Sequence, residues 1–555
     1  MLDKASVHHQ AYSSYAYYLN ETDIRLTIRV KKNNVKKIVL EYYDKYENVP
    51  HSLAELTKQN STDLFDFYSV IVTPPHKRLC YFFRIYSGNK EYYYKQFGFT
   101  DNIYDGDFQL PYINPCDIYK IPDWINSAVF YQIFPDSFCS DGQTKKLPDD
   151  YFGGTLNGIT NNLKYLKNLG INVIYLNPIF CSTTVHRYDV TDYFNIDPIL
   201  GTKADFKNLV DSCHKLGIKV VLDAVINHSS HKNPMFLDVL KNGKNSKFAN
   251  YYVINSFKNN KPYDYDRFAF ENYMPKLNTS NPEVQNYFIK FLTYWIKEFN
   301  IDGWRFDVGN EIGHNFISQA RSAIKQANPN AYMLGEIWHN SDWFLLGDEY
   351  DGVTNFSLKD ILFKFAKNEI NAHQFVNNYL TYYYTIPNRA IIASSNFLCN
   401  HDTTRVASEI TNHNKLKIMI ALQFIMLGTP LIYYGEEVGM LHDENNLGDR
   451  GARTPFDFNS AKNNELFDFY KKIIKLKTSN PCMQNEGFKI SDNKELLIVS
   501  RFYKDKQIDL VVNNTNKTKK YLLNNNCLNY LTNEKLSCNN NLKLTPNSFV
   551  ILIKE

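Results

Sequence analysis

The alternation of apolar and polar residues divides the chain into three regions. Residues 1 to about 123 contain short runs with the two-residue period of β-strands, such as Ile24–Val30 and Tyr81–Tyr86, separated by turn residues. No long amphipathic helix interrupts these runs. The first region is therefore predicted to be a β-sandwich module.

After about residue 123, helical and strand patterns alternate. A helical apolar face over Asn162–Leu169 ends at Gly170, and the apolar run Ile171–Leu176 follows it. A second unit of the same kind ends at Gly217 and leads into Lys219–Ala224. Such repetition predicts parallel strands with helical crossovers, and over roughly 350 residues it favours a closed (β/α)8 TIM barrel within an α/β fold.

Strand-like runs return beyond about residue 480, as in Leu496–Phe502 and Ile508–Val512, and they predict a C-terminal β-sandwich. The segment after the third barrel strand breaks the strand–helix rhythm, so it is expected to lie over the barrel mouth. The predicted units are an N-terminal β-sandwich at 1–123, a barrel at 124–480 with an excursion at 229–280, and a C-terminal β-sandwich at 481–555.

Composition excludes several classes of partner. The chain has 62 basic and 58 acidic residues without blocks of like charge, so neither nucleic acid nor a membrane is an expected partner. Its most apolar run is too short to cross a bilayer, and its first residues lack the pattern of a signal peptide. Nine cysteines without paired or metal-type spacing indicate free thiols and a cytoplasmic protein; a secreted enzyme is the weaker alternative.

Four short segments place charged residues at or just after the end of an apolar strand. They are Asp223–His228, Gly303–Asp307, Gly335–His339 and Asn400–Asp402. Each carboxylate alone could be a structural cap or ion pair. Because the C-terminal ends of barrel strands converge, however, the joint pattern predicts one site, and paired carboxylates are the apparatus of glycoside hydrolysis.

Other segments extend this pattern and carry a family resemblance. The chain resembles the α-amylase family, glycoside hydrolase family 13, and within it the neopullulanase, cyclomaltodextrinase and maltogenic amylase group. The N-terminal region resembles carbohydrate-binding module 34. Besides the four segments above, the matching stretches are Tyr131–Pro135 (YQIFP), His186–Asp189 (HRYD), Met274–Asn278 (MPKLN), Asp307–Glu311 (DVGNE, usually with Ala where Gly309 stands) and Gly435–Gly439 (GEEVG).

The resemblance implies roles for individual residues. Asp307 would be the nucleophile, Glu336 the general acid/base and Asp402 a third carboxylate that binds the sugar. Arg305, two residues before Asp307 in a strand, points to the same side, and its charge is expected to keep Asp307 ionised. The residues expected to bind or support substrate are Tyr188, Asp223, His228, Arg305, Glu311, Trp338, His401 and Arg405.

The implied activity is that of a retaining hydrolase. It would cleave α-1,4 bonds of cyclodextrins, maltooligosaccharides or pullulan, with transglycosylation left open. An oligo-1,6-glucosidase or glucosyl-transfer enzyme is an alternative, because Arg453–Phe456 (RTPF) resembles that branch of the family. The MPKLN segment and the N-terminal module favour the first assignment instead. A non-catalytic glycan-binding protein is a second alternative, which the presence of all three carboxylates opposes.

Two further expectations concern metals and partners. Relatives often bind calcium in a loop after the first strand, but here Cys139–Lys146 contains only Asp141 as an acid, and Gly153-Gly154 is followed by Thr155. Because calcium takes six or more oxygen ligands, no metal and no cofactor are predicted. Relatives also use the N-terminal module to cover a partner's site, which implies a homodimer through that domain.

Overall fold

The computed structural model describes residues 1–47, 49–102, 106–115, 118–142, 151–338, 340–445, 448–493 and 495–554. Part of the segment considered above for calcium, residues 143–146, lies outside the described residues, as does His339. Within the described ranges, no helix is long and apolar enough to cross a membrane.

Antiparallel strands build the N-terminal region as two facing sheets, which confirms the predicted β-sandwich. The strands are β1 (Ala16–Tyr18), β2 (Ile24–Lys31), β3 (Lys37–Tyr43), β4 (Ser52–Glu55), β5 (Thr57–Ser61), β6 (Phe65–Val72), β7 (Leu79–Ser87), β8 (Lys90–Lys95), β9 (Gly98–Thr100) and β10 (Phe108–Leu110). One sheet has the order β1-β2-β6-β5, and the other β4-β3-β7-β8-β9 with β10 on β7. In β2, Ile24, Leu26, Ile28 and Val30 are all fully buried, as the two-residue period requires.

Strands and helices alternate through the middle of the chain. The strands are β11 (Phe130–Ile133), β12 (Val173–Leu176), β13 (Phe180–Ser182), β14 (Val190–Ile196), β15 (Lys219–Ala224), β16 (Ile254–Lys258), β17 (Lys261–Tyr265), β18 (Gly303–Phe306), β19 (Tyr332–Gly335), β20 (Gly352–Val353), β21 (Ser395–Phe397) and β22 (Thr429–Tyr433). The helices are α1 (Pro135–Phe138), α2 (Leu156–Asn161), α3 (Leu163–Leu169), α4 (Lys203–Lys215), α5 (Pro234–Asn242), α6 (Pro282–Phe299), α7 (His314–Ala327), α8 (Phe356–Ala366), α9 (Ala372–Tyr383), α10 (Asn388–Ala393), α11 (Val406–Glu409), α12 (His413–Ile425) and α13 (Glu465–Ser479).

Eight of these strands pair in parallel in the order β20-β19-β18-β15-β12-β11-β22-β21. A parallel bridge between Thr354 and Ser395 joins the two outer strands. The Asn355 N–H also donates to the Ser395 carbonyl at 2.9 Å across the same seam. The sheet therefore closes, and the predicted (β/α)8 barrel is confirmed.

Local sequence signals explain where the helices begin and end. Asn281 caps α6 by accepting from the Glu283 N–H, and Pro282 occupies the first turn, where its missing N–H does no harm. The buried face of α6 carries Phe288 and Trp295 against the barrel. Gly170 ends α3 with a φ of +102°, a conformation that glycine adopts without strain.

The segment between β15 and α6 is the predicted excursion. It contains α5 and the hairpin β16–β17, and then turns back toward the barrel. The backbones of Lys276 and His228 form an isolated antiparallel β-bridge, and the Leu277 N–H donates to the Asn227 carbonyl at 3.0 Å. The excursion is thus pinned to the chain that leaves the C-terminal end of β15.

A last group of strands follows α13 and confirms the predicted C-terminal β fold. These are β23 (Phe488–Asn493), β24 (Leu496–Tyr503), β25 (Lys506–Asn513), β26 (Lys519–Leu522), β27 (Cys527–Asn529), β28 (Glu534–Leu536), β29 (Asn541–Leu544) and β30 (Ser548–Lys554). Six form the antiparallel sheet β23-β24-β25-β30-β27-β28, and β26 pairs with β29. The exact domain boundaries stay a prediction; they fall between β10 and β11 and between α13 and β23.

The closure of the barrel gives a first testable expectation. A methyl group added at Gly352 in β20 would overlap the backbone of Ala393 and Ser394. Gly352→Ala should lower the free energy of unfolding by about 1–3 kcal/mol, the usual cost of overpacking. Gly313→Ala is the control, because its methyl would lie an ordinary 3.7 Å from Thr279 Oγ1. Equal urea midpoints for the two variants would contradict the expectation.

Candidate active site

Three acidic residues and one arginine meet at the C-terminal end of three neighbouring barrel strands. Asp223 lies near the end of β15, Arg305 lies in β18, and Asp307 and Glu336 directly follow β18 and β19. The parallel register pairs Asp223 with Arg305. Residues that are 80 or more positions apart in sequence, such as Asp223 and Arg305, are therefore in contact.

The Arg305 guanidinium is the centre of this group. Its Nη1 donates to Asp223 Oδ1 at 2.9 Å and to Asp307 Oδ1 at 2.8 Å, and its Nη2 lies 2.7 Å from Glu336 Oε2. All four side chains are more than nine-tenths buried. The group thus has the geometry of a buried ionic cluster, in which each carboxylate has a fixed direction.

Backbone strain helps to orient Glu336. Val308, the residue after Asp307, has a φ of +47°, which is uncommon for a β-branched side chain. In this conformation the Val308 N–H donates to Glu336 Oε2 at 3.1 Å, and the Gly309 N–H donates to the Glu336 carbonyl at 2.9 Å. A strained residue beside two buried carboxylates is typical of a functional site.

The charge balance of the cluster favours the retention of a proton. Burial raises the pKa of Asp307 well above its usual range; Arg305 lowers that pKa, as the sequence suggested, whereas Glu336 and Asp223 raise it. Burial therefore outweighs the expected effect of Arg305 on Asp307. Three carboxylates share one guanidinium, so Asp307 retains a proton more readily than a carboxylate in water.

Asp402 lies in a different electrostatic setting. Arg453 Nη2 donates to Asp402 Oδ1 at 2.9 Å, and Arg453 Nε donates to the His401 carbonyl at 2.9 Å. Burial acts to raise the pKa of Asp402, but His401 and Arg453 together lower it below its usual range. Asp402 is therefore an ionised hydrogen-bond acceptor at neutral pH.

A hydrogen-bonded chain connects Asp402 to the Arg305 cluster. Gln132 Nε2 donates to His401 Nδ1 at 2.8 Å, so the His401 proton lies on Nε2. That nitrogen is 2.6 Å from Tyr188 Oη and 3.0 Å from Asp402 Oδ2. Tyr188 Oη in turn donates to Asp223 Oδ2 at 2.9 Å. The Tyr188 and His401 rings also stack, with their centroids 5.4 Å apart, so Asp402 and the Arg305 cluster are connected by contacts between side chains.

His228 presents an unused polar atom. The ring is buried and stacks on Phe268, and its Nε2 has no well-formed hydrogen-bond partner among the described residues. Burial, with the charge of Lys276, lowers the pKa of His228 to about 3, and the Tyr188 backbone acts in the opposite direction. His228 is therefore a neutral ring at physiological pH.

Glu311 and Trp338 are more exposed than the residues around Arg305. Trp338 follows Glu336 by two positions, is 49% exposed and stacks on Phe356. The Glu311 carboxylate forms an ion pair with Lys276 at 3.1 Å. Glu311 and Trp338 form an exposed edge of the site beyond β18 and β19, here called the rim, with one apolar face and one charged group.

Arg405 does not join the cluster. Its buried guanidinium lies 4.7 Å from the ring of Tyr433 and 4.8 Å from that of Tyr434, and its Nη1 donates to the Tyr434 carbonyl at 2.6 Å. Arg405 precedes α11, and its side chain turns toward the chain that follows β22. Its predicted part in substrate binding finds no support in this geometry.

Some residues of the site were absent from the sequence prediction. Gln132 and Tyr175 lie in the matching barrel strands β11 and β12, and Tyr175 Oη donates to Asp223 Oδ2 at 2.6 Å. The YQIFP segment and the strand pattern could have indicated them. Arg453 follows β22 by some twenty residues in an irregular segment, and no sequence pattern placed it beside Asp402.

No group of three or more His, Cys, Asp or Glu residues in the described chain is arranged to hold a metal ion. The carboxylates around Arg305 contact that side chain instead. The absence of calcium stays a prediction, because part of the Cys139–Lys146 segment lies outside the described residues.

A closed barrel that carries paired, buried carboxylates at its C-terminal end has the arrangement that glycoside hydrolysis uses. Residues 132–521 match the α-amylase catalytic domain, and residues 1–114 match the N-terminal Ig-like domain of α-amylases. The chain belongs to the α-amylase family.

Individual relatives support this assignment over nearly the whole chain. The chain is 38% identical over 518 residues to a cyclomaltodextrinase of Bacillus sp, covering 87% of this chain and 90% of the relative. It is 36% identical over 587 residues to a maltogenic α-amylase of Bacillus acidopullulyticus, covering 99% of both. A solved cyclomaltodextrinase structure has a TM-score of 0.92 and 34% identity, covering 100% of both chains.

A buried acid close to Arg405 gives a pH-dependent expectation. Burial raises the pKa of Glu436 from 4.5 to about 8, and the carboxyl group accepts from the Tyr433 N–H at 2.7 Å. Because the folded-state pKa is the higher one, the group stabilises the fold fully below pH 4.5, and this contribution is lost as the pH rises toward 8. Glu436→Gln, which cannot ionise, should therefore be the more stable protein at pH 8, by on the order of 4 kcal/mol.

The measurement is thermal unfolding of both proteins from pH 4.5 to pH 8. The gap between their melting temperatures should open as the pH rises. The exposed Glu534→Gln serves as the control and should show no such trend. A constant gap across the range would contradict the raised pKa of Glu436.

Proposed function

We propose that the protein is a retaining hydrolase of α-1,4-glucosidic bonds in cyclodextrins, maltooligosaccharides and pullulan. The observation that carries the proposal is the attachment of Asp307 and Glu336 to the two terminal nitrogens of one guanidinium. Two carboxyl groups held in this way are separated by only a few ångströms. That spacing suits a nucleophile and an acid on one bond and excludes an intervening water, as retention requires.

In the proposed reaction, Glu336 is the acid and Asp307 the ionised nucleophile when substrate is bound. Glu336 donates its proton to the glycosidic oxygen while Asp307 attacks the anomeric carbon, so the leaving sugar departs with the proton. A water molecule then attacks the covalent glycosyl ester, gives its proton to Glu336 and releases Asp307. Transfer to a second sugar hydroxyl in place of water would give transglycosylation.

The remaining groups would bind and distort the sugar at the cleaved bond. Ionised Asp402 would accept from ring hydroxyls, and His228 would donate from its Nε2 atom. His401 would donate to a sugar hydroxyl by exchanging its present contact with Tyr188 Oη. Tyr188 would offer its ring as a stacking surface, and Asp223 would hold Arg305 in place. Glu311 and Trp338, at the rim, would contact the leaving-group side.

We further propose a cytoplasmic homodimer that associates through the N-terminal domain. Six cysteines of the described chain, Cys80, Cys139, Cys181, Cys213, Cys399 and Cys482, have free thiols, which suits a reducing compartment. The N-terminal domain exposes Tyr46 (71%) and Phe97 (91%), which are of the residue types enriched at protein interfaces. A partner that covers the rim would narrow the site toward short or cyclic glucans.

The substrate proposal is tested by product analysis on β-cyclodextrin, pullulan and soluble starch in parallel. We expect rapid ring opening to maltose, panose from pullulan and slow turnover of starch. Asp307→Asn should lose at least about a thousandfold in kcat, because the covalent step is removed. Asp264→Asn, an exposed change in the hairpin β16–β17, is the matched control and should leave the rate unchanged.

Each other outcome of that experiment has a definite meaning. Activity confined to α-1,6-linked isomaltose substrates would indicate an oligo-1,6-glucosidase. Binding of glucans without any turnover would indicate a glycan-binding protein. Anomeric inversion in the products, followed by proton NMR, would contradict the retaining mechanism.

The homodimer is tested by light scattering at micromolar concentration. We expect a mass twice the 64.9 kDa of one chain. Replacing the two exposed aromatic residues, by Tyr46→Ser and Phe97→Ser, should shift the monomer–dimer equilibrium toward the monomer. A monomeric wild-type protein would contradict the proposal.

A further inference from the structure

We infer that Lys276 is a positioning residue that fixes the tautomer of His228 through the side-chain amide of Asn227, and that it also holds Glu311 at the rim of the site. Lys276 belongs to the excursion after β15, whereas the groups it orients leave the barrel strands β15 and β18. The inference rests on the proposed function insofar as His228 binds the sugar.

The backbone of Lys276 is held from both sides. Its N–H donates to the Asp266 carbonyl at 2.9 Å, and its carbonyl accepts from the Val253 N–H at 3.1 Å. The flanking side chains of Met274 and Leu277 are buried. The position from which the Lys276 side chain extends is therefore fixed.

The ammonium group of Lys276 makes three contacts. Nζ donates to Asn227 Oδ1, to Glu311 Oε2 at 3.1 Å and to the Glu311 carbonyl at 3.3 Å. An ammonium group only donates, so the oxygen of the Asn227 amide has to face Lys276. The Asn227 amide is thereby fixed with its NH2 group on the opposite side.

That NH2 group faces the ring of His228. Asn227 Nδ2 lies 3.3 Å from His228 Nδ1, and an amide NH2 only donates, so Nδ1 is the acceptor. The proton of the neutral ring must then reside on Nε2, the buried nitrogen that lacks a well-formed partner in the described chain. Lys276 thus sets which nitrogen of His228 can donate to a sugar hydroxyl.

The positive charge of Lys276 also favours the neutral His228 ring. The charge lies close enough to the ring to lower its pKa and so to disfavour a second proton. The neutral Nε2–H form is therefore favoured by the amide contact and by the charge. At the rim, the same ammonium group holds Glu311, whose side chain would otherwise be free in solvent.

The test compares Lys276→Met, which keeps the length but loses the charge and the donor, with Lys276→Arg, which keeps both. Protein with 15N-labelled histidine, assigned through a His228→Gln variant, reports the tautomer by NMR without any substrate. Wild type and Lys276→Arg should show a protonated Nε2 and a bare Nδ1. Lys276→Met should show both tautomers and about a tenfold lower kcat/KM on β-cyclodextrin.

Two more variants keep the result decisive. Lys261→Met, in β17, removes an exposed lysine of the same excursion and should change neither the His228 tautomer nor kcat/KM. Asn227→Asp replaces the amide by a group that only accepts, so His228 should acquire a proton on Nδ1 even though Lys276 is intact. If Lys276→Met fails to fold, Asn227→Asp still tests whether the Asn227 side chain sets the His228 tautomer.

Several results would overturn the inference. They are a wild-type His228 protonated on Nδ1, an unchanged tautomer in Asn227→Asp, and a Lys276→Met protein within twofold of wild type in kcat/KM. Equal losses of kcat/KM in Lys276→Met and Lys276→Arg would also overturn it, because the charge and the hydrogen-bond donor of Lys276 would then be irrelevant. An inactive wild type with the expected tautomer would instead count against the proposed function alone.

Discussion

One buried guanidinium organises the functional end of this barrel. Arg305 bonds to Asp223, Asp307 and Glu336, and each of these carboxylates would be unstable in a buried site without it. Because a single positive charge serves three acids, burial still raises the pKa of Asp307. The same arrangement fixes the positions of Asp307 and Glu336, the two residues on which the proposed reaction depends.

Most of the fold could be predicted from the sequence because its signals are local. The helices α3, α4 and α6 show a 3.6-residue apolar period, and α3 and α5 end at glycine, so the sequence predicts the alternation of strands and helices. The helix α12, which is buried on nearly all sides, has no such period. Asp223, Asp307 and Glu336 were also predictable, since each follows an apolar strand. Neighbouring strands in a parallel barrel bring such positions together without further information.

The parts that could not be predicted depend on irregular segments. Arg453 reaches Asp402 from the chain beyond β22, and no periodicity determines the course of that chain. Arg405 lies three residues after Asp402 and shares its motif, yet the start of α11 turns its side chain into the interior. Likewise, the contact between Lys276 and Asn227 depends on how the excursion folds back on the barrel.

The seam of the barrel lies on only one of the two routes between the Arg305 cluster and Asp402. Asp223, Asp307 and Glu336 lie in or directly after β15, β18 and β19, whereas Asp402 and Arg453 follow β21 and β22. On the route away from the seam, β15, β12, β11 and β22 pair without a break, and hydrogen bonds join His401 and Asp223 through Tyr188. A local opening of the barrel at the Thr354–Ser395 bridge would therefore leave Asp402 and the Arg305 cluster in register with each other.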